Sequence, residues 1–277
     1  MTEWSGLRAH PPEVSAAKAR RWGAFYYAEQ VLRVMKGYTW SIVMYSVGQP
    51  VAYLFAMGVG LATLVDTGNA AFGGVSYLVF IAPALLVSAA VMTAANEFTF
   101  PVMAGFKWRR TYFGPHASPL TPGQIAAGHI MAVTLRLLLQ SAAYFGAVAL
   151  FGASPSGWGW AGILVATLTG LAFGLPLMAY SASITEDKGQ FALVMRFIVM
   201  PLFLFSGTFF PLDNLPLAVR WIGWISPIWH GTELGRVFSF GYPEQPLLTV
   251  AHGMVLAGLM LLGWVMTRRR FAQRMAQ

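Results

Sequence analysis

Residues 137–185 read LLLQSAAYFGAVALFGASPSGWGWAGILVATLTGLAFGLPLMAYSASIT, a stretch without a single charged side chain. About 20 apolar residues cross the hydrocarbon core of a bilayer as a helix, so this stretch is long enough for two crossings. The turn signal Gly152-Ala153-Ser154-Pro155-Ser156-Gly157 divides it. The stretch therefore predicts a fold of membrane-embedded helices whose main solvent is lipid.

The rest of the chain has the same character. Of its 277 residues, 57% are hydrophobic and only 10% are charged, whereas about a quarter of the residues in a soluble domain are charged. Further charge-free runs cover 37–65, 67–96 and 245–267. These runs predict an all-α integral membrane protein with a six-span domain over 39–267. The predicted spans are 39–64, 77–101, 124–151, 159–183, 191–212 and 247–267.

The basic residues predict the orientation. Six precede the first span, three lie in the second loop, one lies in the fourth loop and four follow the last span. All of these are cytoplasmic if both ends of a six-span chain lie inside, which agrees with the positive-inside rule. The tails 1–38 and 268–277 are therefore predicted to be cytoplasmic. This topology explains the net charge of +8, so no nucleic-acid partner is predicted.

An amphipathic segment precedes the first span. Residues 15–36 mix basic residues with Trp22, Phe25, Leu32 and Met35. Placed on a helix, these four apolar side chains face lipid, although their period is imperfect. We therefore predict an interfacial helix that lies along the cytoplasmic surface, in contact with membrane lipids.

The fifth loop, 213–246, is too long for a turn and remains strongly apolar. Only 12 residues separate Arg220 from Glu233, which is too few to cross a bilayer, and Pro227 interrupts them. We predict a pair of short re-entrant helices in the outer interface, and a plain loop folded over the protein is the alternative. The residues assigned to this re-entrant region are Asp213, Trp221, Trp224, Pro227, Trp229 and His230.

Motifs for catalysis and nucleotide binding are missing from the sequence. It has no G-x-x-x-x-G-K-[ST] phosphate loop, no H-E-x-x-H and no G-x-S-x-G. It has no cysteine, which excludes disulfides and thiolate metal sites and is consistent with a bacterial inner membrane. Its five histidines are scattered over both sides of the membrane, so no metal site is predicted. We predict that the chain is not an enzyme, has no catalytic residue and binds no cofactor itself.

Two ionisable residues fall within the predicted spans. Arg136 lies about 12 residues into the third span, roughly 18 Å along the helix. A lipid-facing arginine at that depth is costly, so we expect its side chain to face protein or a water-filled cavity. Arg136 either attracts an anionic headgroup or pairs with a carboxylate or carbonyls. Glu97, at the cytoplasmic end of the second span, pairs with a basic neighbour, contacts a partner or serves a proton relay.

The second loop combines basic residues with turn signals. It runs from Lys107-Trp108-Arg109-Arg110 to Ser118-Pro119-Leu120-Thr121-Pro122-Gly123-Gln124. Thr121 is predicted to cap a helix that begins at Pro122. The basic residues either anchor the topology or form a docking surface for a cytoplasmic motor, and the sequence favours neither interpretation.

Four short motifs carry a resemblance to a known family. They are Asn96-Glu97-Phe98, Ser118-Pro119-Leu120-Thr121-Pro122, Ser206-Gly207-Thr208-Phe209-Phe210-Pro211-Leu212-Asp213-Asn214-Leu215-Pro216 and Ser226-Pro227-Ile228-Trp229-His230. With these motifs in this order, the chain resembles the permease subunits of ABC-2 type exporters. The similarity covers roughly 20–270 and is greatest to the branch that includes nodulation lipo-oligosaccharide exporters.

The resemblance implies an assembly. Such permeases dimerise, and each protomer docks on a separate nucleotide-binding subunit that holds ATP and Mg; a homodimer is expected, with a heterodimer as the alternative. The family's N-terminal amphipathic helix resembles 15–36, its coupling helix about 118–129 and its re-entrant helices 213–232. The docking candidates are Lys107, Arg109, Arg110, Pro119, Leu120, Thr121 and Gln124.

The resemblance also implies a substrate path at the dimer interface, lined by the first, second and fifth spans. Arg136 is added to this path because it lies deep in the third span. The substrate-path candidates are Tyr45, Gln49, Tyr53, Arg136, Phe205 and Phe209. Ordinary helix packing is the alternative role for each. The expected function is ATP-driven export of an amphiphile: a lipid-linked glycan, a glycolipid or a hydrophobic drug.

Two other functions compete with export. An ion-coupled secondary transporter needs midplane carboxylates or a symmetric pair of broken helices, and the sequence has neither. A membrane-embedded transferase needs His, Asp or Glu residues that converge at one membrane face, and the acidic residues are too dispersed for that.

Overall fold

The computed structural model describes residues 12–44, 48–61, 72 and 74–276. None of these residues is in a β-strand, so the all-α prediction is confirmed for the part of the chain described. The helices are α1 (Pro12–Lys36), α2 (Thr39–Val43), α3 (Gln49–Phe55), α4 (Tyr77–Phe98), α5 (Phe100–Lys107), α6 (Phe113–His116), α7 (Pro122–Leu150), α8 (Ala161–Ser183), α9 (Gln190–Val194), α10 (Met200–Phe205), α11 (Leu217–Ile225), α12 (Pro227–Phe240) and α13 (Pro246–Met275).

Four helical segments are long and apolar enough to cross a membrane. They are Tyr77–Lys107, which combines α4 and α5, and α7, α8 and α13. They coincide with the second, third, fourth and sixth predicted spans, because each of those spans is a charge-poor run of the length that a bilayer requires. The last helix continues to Met275, beyond the predicted end at residue 267, and carries the basic residues of the tail.

The first and fifth predicted spans take a different form. Residues 39–64 contain α2, α3 and a π-helical stretch at Ala56–Leu61, while 45–47 and 62–64 lie outside the described residues. The fifth is the shorter apolar helix Gln190–Phe205, in which a π-helical stretch at Met195–Val199 separates α9 from α10. This helix ends seven residues before the predicted boundary at 212, because the chain turns at Gly207 with a φ of 73°.

The central helix of the bundle is α8, which lies between α4 and α13. It is charge-free and rich in small residues, which let neighbouring helices approach closely. A Cβ added at Gly170 would lie 3.1 Å from the Ala90 carbonyl oxygen of α4. One added at Gly263 of α13 would lie 2.5 Å from Pro176 Cδ of α8. These contacts hold three of the long helices together along their lengths.

The segment that was predicted to be an interfacial helix forms α1, which packs along α7, and its position at the membrane surface stays a prediction. Trp22 and Phe25 are exposed, as expected for side chains that contact lipid. Met35 is instead buried in the hydrophobic core, so the prediction that it faces lipid is wrong. The apolar side chains of this segment follow an imperfect helical period because α1 buries one side of its C-terminal half against α7.

The contact between α1 and α7 depends on Gly128. A Cβ at this position would overlap the Ala24 carbonyl oxygen and lie 2.9 Å from the Ala28 nitrogen. Both atoms belong to the backbone of α1, so they cannot rotate away. The Gln124 side chain adds a hydrogen bond, in which Nε2 donates to the Arg20 carbonyl oxygen over 2.6 Å.

Gly128→Ala is expected to displace α1 and to lower the free energy of unfolding by about 1–3 kcal/mol, the usual range for overpacking. Gly146→Ala in the same helix is the matched control, because nothing lies within 4 Å of its Cβ position. Thermal unfolding in detergent measures the stability difference, and trypsin cleavage at Lys18, Arg20 and Arg21 reports whether α1 has detached. Equal unfolding temperatures for the two variants would contradict the prediction.

Candidate functional site

A cavity of about 520 Å³ lies within the bundle, bordered by α3, α4, α7 and α10. This volume is in the range of ligand pockets. The cavity contains polar groups although the surrounding helices are strongly apolar. Its polar lining consists of Tyr53, Ser88, Thr93, Asn96, Arg136, Gln140 and Tyr144, and its apolar lining consists of Leu85, Ala89, Met92, Met200 and Phe203.

Arg136 forms an ion pair with Glu97 next to the cavity. Both side chains are mostly buried, with exposed fractions of 16% and 13%. The pairing with a carboxylate, one of the two interpretations of Arg136, is therefore confirmed, and Glu97 has the basic neighbour predicted for it. The Nε atom of Arg136 has no hydrogen-bond partner among the described residues.

Two further polar side chains in the cavity differ in their bonding. Gln140 accepts a 2.8 Å hydrogen bond from the Thr93 hydroxyl and donates a 3.3 Å bond to the Ala89 carbonyl oxygen, so its amide is satisfied by the protein. Ser88 is 2% exposed, and its hydroxyl has no partner among the described residues. A buried hydroxyl without a partner costs free energy, which a ligand in the cavity would offset.

The structure brings only some of the predicted path residues together. Tyr53 and Arg136 line the cavity. Phe209 is not among the lining residues, but its ring packs edge-on against that of the lining residue Phe203, with 5.2 Å between centroids. Phe205, the last residue of α10, is not among the lining residues, whereas Tyr45 and the side chain of Gln49, the first residue of α3, lie outside the part of the chain that the structure describes.

Sequence analysis missed most of the polar lining, although a signal was present. Arg136, Gln140 and Tyr144 recur every four residues, which places them on one face of a helix. Ser88 and Thr93 also occur inside an otherwise apolar span. Polar residues that align on one face of a membrane helix are expected to face protein or a cavity rather than lipid.

The basic loop, residues 107–121, lies at the end of the bundle where α5 ends and α7 begins. Arg109, Arg110, Pro119 and Thr121 are exposed, while Lys107 and Leu120 are half-buried. Arg110 has a φ of 50°, which is unusual for a residue other than glycine. The loop therefore presents cationic side chains away from the bundle, as a docking surface for a partner would.

The predicted start of the third span is confirmed in detail. The Thr121 hydroxyl accepts a hydrogen bond from the Gln124 nitrogen over 3.2 Å, and the Gln124 amide oxygen accepts one from the Thr121 nitrogen over 2.9 Å. This is a capping box, and Pro122 is the first residue of α7. Residues 122–129 are thus the first turns of α7 rather than a separate coupling helix, and the short helix of the loop is α6 at Phe113–His116. Gln124 takes part in the cap and donates to the Arg20 carbonyl oxygen, and its role in docking stays a prediction.

Tyr112 fixes the basic loop to the bundle, a role that sequence analysis did not predict. It is 1% exposed, and its ring lies 4.6 Å from that of Phe106 and 5.1 Å from that of Phe271, between ring centroids. Burial raises the pKa of the Tyr112 phenol well above its usual value. The hydroxyl therefore stays protonated, and it lies within hydrogen-bond distance of His129 Nδ1, at 3.1 Å. The rings of Tyr27 and His129 complete the cluster, which connects α1, α5, α7 and α13.

The opposite end of the bundle contains a second buried ion pair. Arg236 is 1% exposed; its Nη1 donates to Glu233 over 2.8 Å and its Nη2 to the Gly207 carbonyl oxygen over 2.6 Å. Its guanidinium carbon lies 3.7 Å from the centroid of the Phe80 ring. Arg236 therefore ties α12 to α4 and to the turn after α10. Arg236 belongs to the segment 213–246 that was predicted as the fifth loop, and its burial was not predicted.

The predicted re-entrant segment contains two helices, α11 and α12, the second of which extends to Phe240. Trp221 and Trp224 on α11 are exposed, whereas α12 packs against α4, α8 and α13. Ser226 caps α12 and accepts from the Ile228 nitrogen, with Pro227 as the first helical residue. Asp213 pairs with Arg220, and the Trp229 ring lies 4.8 Å from that of His252.

His230 and His252 meet in this region. Their Nδ1 atoms are 2.6 Å apart, and His230 Nε2 donates to the Trp224 carbonyl oxygen over 3.1 Å. His252 Nε2 lies 2.8 Å from Glu244 Oε1. In the described part of the chain, no three His, Cys, Asp or Glu side chains form a group that would hold a metal ion.

A family comparison agrees with this architecture. The sequence pattern of the ABC-2 type transporter family matches residues 28–240, which is more than half of the chain. The chain therefore belongs to the ABC-2 type transporter family, and it is a multi-pass membrane transport protein with a permease architecture.

Individual relatives show which members of that family the chain is similar to. The chain is 27% identical to Nodulation protein J of Rhizobium leguminosarum bv. viciae over 205 residues, which are 73% of this chain and 76% of the relative. It is 24% identical to Nodulation protein J of Rhizobium meliloti (strain 1021) over 234 residues, or 83% and 86% of the two chains. The protein of the same name from Neorhizobium galegae is 26% identical over 235 residues, or 82% and 86%. The resemblance drawn from the four motifs is confirmed.

Proposed function

We propose that this chain is the permease subunit of an ATP-driven exporter that moves an amphiphile across a bacterial inner membrane. The observation that carries the proposal is the cavity between apolar helices whose lining includes several polar side chains, in a chain of the ABC-2 family. Such a cavity suits a substrate with a polar part that must cross the hydrocarbon core. A lipid-linked glycan, a glycolipid or a hydrophobic drug has that chemistry.

ATP hydrolysis takes place on a separate nucleotide-binding chain, which also holds Mg. The sequence of the permease has no phosphate loop, and its basic loop presents Arg109 and Arg110 at the surface. The cluster around Tyr112 connects that loop to α1, α7 and α13, so movement of a docked partner reaches the bundle through packed rings. A two-state rearrangement of the helices then exposes the cavity to either side in turn.

The proposed topology has six crossings with both termini in the cytoplasm. The four long helices supply four crossings, and the segments 39–64 and 190–212 supply the others. The helix pair of α11 and α12 re-enters the outer leaflet, with the exposed Trp221 and Trp224 at the interface. A second permease copy completes the transporter, with the cavity close to the shared interface.

Lys107, Arg109 and Arg110 changed together to alanine are expected to reduce co-purification of the ATPase at least tenfold, because three cations of the docking surface are lost. The measurement uses tagged permease from membranes that also contain the partner, and follows bound ATPase activity and transport. The matched control changes Lys18, Arg21 and Arg33 on α1, which removes the same charge elsewhere. A triple variant with full ATPase activity and transport contradicts the docking role.

A further inference from the structure

The last membrane helix, α13, continues into a basic extension that is fixed to the bundle. The Thr267 hydroxyl donates to a carbonyl oxygen of α8 over 3.0 Å, and Phe271 is fully buried in the hydrophobic core. Arg268 and Arg269 lie between these two anchors, and both are exposed. The backbone that carries them is therefore held in place just beyond the charge-free run, which ends at residue 267.

The first turn of α7 connects this extension to α1. The Arg268 side chain packs on Gly123, where an added Cβ would lie 3.3 Å from the arginine Nε. In the same turn, the Gln124 amide donates to the Arg20 carbonyl oxygen over 2.6 Å. Exposed arginines of α1 and of α13 thus border one helical turn. We call them the arginine surface, which consists of Arg20, Arg21, Arg268 and Arg269.

The arginine surface has no counter-charge of its own. None of its four arginines forms an ion pair with a carboxylate in the part of the chain that the structure describes. The sequence of α13 contains no acidic residue, and α1 has only Glu13 and Glu29, the second of which pairs with Arg33. Four unpaired arginines around one helical turn repel one another, and an anionic partner would relieve that repulsion.

The aromatic residues beside the arginine surface indicate that this partner is a lipid. Trp22 and Phe25 are 44% and 53% exposed, and their ring centroids lie 5.3 Å apart. The Arg21 guanidinium carbon lies 5.5 Å from the centroid of the Trp22 ring. Aromatic rings next to cations are typical of the headgroup region of a membrane, where cations attract anionic lipids. Guanidinium groups bind phosphate oxygens in pairs.

We propose that the arginine surface binds the phosphate headgroup of an anionic phospholipid in the cytoplasmic leaflet. Two guanidinium groups approach the phosphate from α1 and two from α13, and the acyl chains lie beside Trp22 and Phe25. The lipid thereby joins α1 to α13 across the first turn of α7. This assignment rests on the proposed cytoplasmic position of both helix ends, and it adds a lipid-binding site to the proposed function.

Photoreactive lipids test the binding. The full chain is placed in nanodiscs of phosphatidylcholine that contain a trace of diazirine-bearing phosphatidylglycerol or phosphatidylcholine. Phosphatidylglycerol is expected to label the protein about tenfold more, because several basic residues act on one headgroup, with labels in 20–28 and 264–271. Inorganic phosphate in excess is expected not to compete, since it has no acyl chains. Equal labelling by the two lipids, labels elsewhere on the chain or full competition by phosphate would each overturn the proposal.

A matched pair of variants separates the arginine surface from net charge. Arg268→Gln combined with Arg269→Gln is expected to lower phosphatidylglycerol labelling to the level of phosphatidylcholine. The control combines Arg33→Gln with Lys188→Gln, which removes the same charge from exposed cations that already pair with carboxylates. The control is expected to keep the preference for phosphatidylglycerol. An equal loss in both variants would show that only net charge matters, and the site would be rejected.

Proteolysis tests whether the lipid joins α1 to α13. In nanodiscs that contain phosphatidylglycerol, trypsin is expected to cleave after Lys18, Arg20 and Arg21 several-fold more slowly than in phosphatidylcholine alone. The variant with both Gln substitutions on α13 keeps these cleavage sites and is expected to lose the protection, whereas the control variant retains it. Protection that persists without the two α13 arginines would mean that α1 binds the anionic bilayer alone, which overturns the joint site.

The outcomes distinguish this inference from the proposed function. Lipid labelling and proteolysis are measured without the ATPase and without ATP, so a failure of ATPase docking leaves them unaffected. The competing partner is an acidic surface of the ATPase. If the α13 variant lost co-purification of the ATPase but kept its preference for phosphatidylglycerol, the arginine surface would belong to the ATPase contact. The lipid site would then be wrong, and the exporter function would stand.

Discussion

Arg236→Met is expected to lower the free energy of unfolding by about 3–5 kcal/mol and to leave little folded protein in the membrane. The substitution removes the partner of Glu233, which has an exposed side-chain fraction of only 10%. It also removes the arginine donor from the Gly207 carbonyl oxygen and the additional donor from the Phe80 carbonyl oxygen. Three parts of the chain, α4, α12 and the turn after α10, lose their common anchor.

The yield of monodisperse protein and the unfolding temperature in detergent measure this effect. Arg33→Met is the matched control, because the Arg33–Glu29 pair is exposed and exposed pairs contribute about 0–1 kcal/mol. Adding Glu233→Gln to Arg236→Met is expected to recover part of the loss, since no buried carboxylate then remains. The anchor role is wrong if Arg236→Met and Arg33→Met unfold at the same temperature.

Tyr112→Ala is expected to destabilise the protein by about 3–5 kcal/mol, the range for removal of a large buried aromatic ring. The ring is packed against those of Phe106 and Phe271, and the His129 nitrogen loses its hydrogen-bond partner. The basic loop is then attached to the bundle only through the chain itself. We therefore expect permease molecules that do fold to bind the ATPase without transmitting its motion.

Two variants dissect the role of Tyr112. Tyr112→Phe keeps the ring and removes the hydroxyl, so it is expected to cost about 1 kcal/mol. Tyr26→Ala removes an exposed tyrosine of α1 and is expected to have little effect on stability. Unfolding temperatures and the ratio of transport to ATP hydrolysis are the two measurements. A Tyr112→Ala variant that matches Tyr26→Ala in both would contradict the proposed connection.

The long helices were predictable because a bilayer imposes a minimum length on each crossing. Charge-free runs predicted the bounds of α7 and α8 to within two residues at each end, and Thr121 was recognised as an N-cap from its neighbours alone. These properties depend on residues that are close in the sequence. Local pattern and membrane thickness together determine them.

The buried polar contacts were not predictable in the same way. Arg236 finds its partners at Phe80 and Gly207, which lie 156 and 29 positions away in the sequence. The sequence placed Arg236 only within the long fifth loop, because nothing in its local sequence indicates those partners. The pair of Arg136 and Glu97 could be anticipated only as one of two interpretations, since depth in the membrane indicates that a partner is needed but does not identify it.

The π-helical stretches at Ala56–Leu61 and Met195–Val199 have a mechanical consequence. Each belongs to a helix that supplies cavity residues, Tyr53 in one case and Met200 with Phe203 in the other. A backbone hydrogen bond in a π-helix encloses one residue more than one in an α-helix. The extra residue can shift to the neighbouring turn when a backbone hydrogen bond changes its acceptor. We therefore expect the two helices with π-helical stretches to deform more easily than α4 and α7, which form the rest of the cavity wall. Changes in the cavity volume during a transport cycle would then come mainly from movement of these two helices.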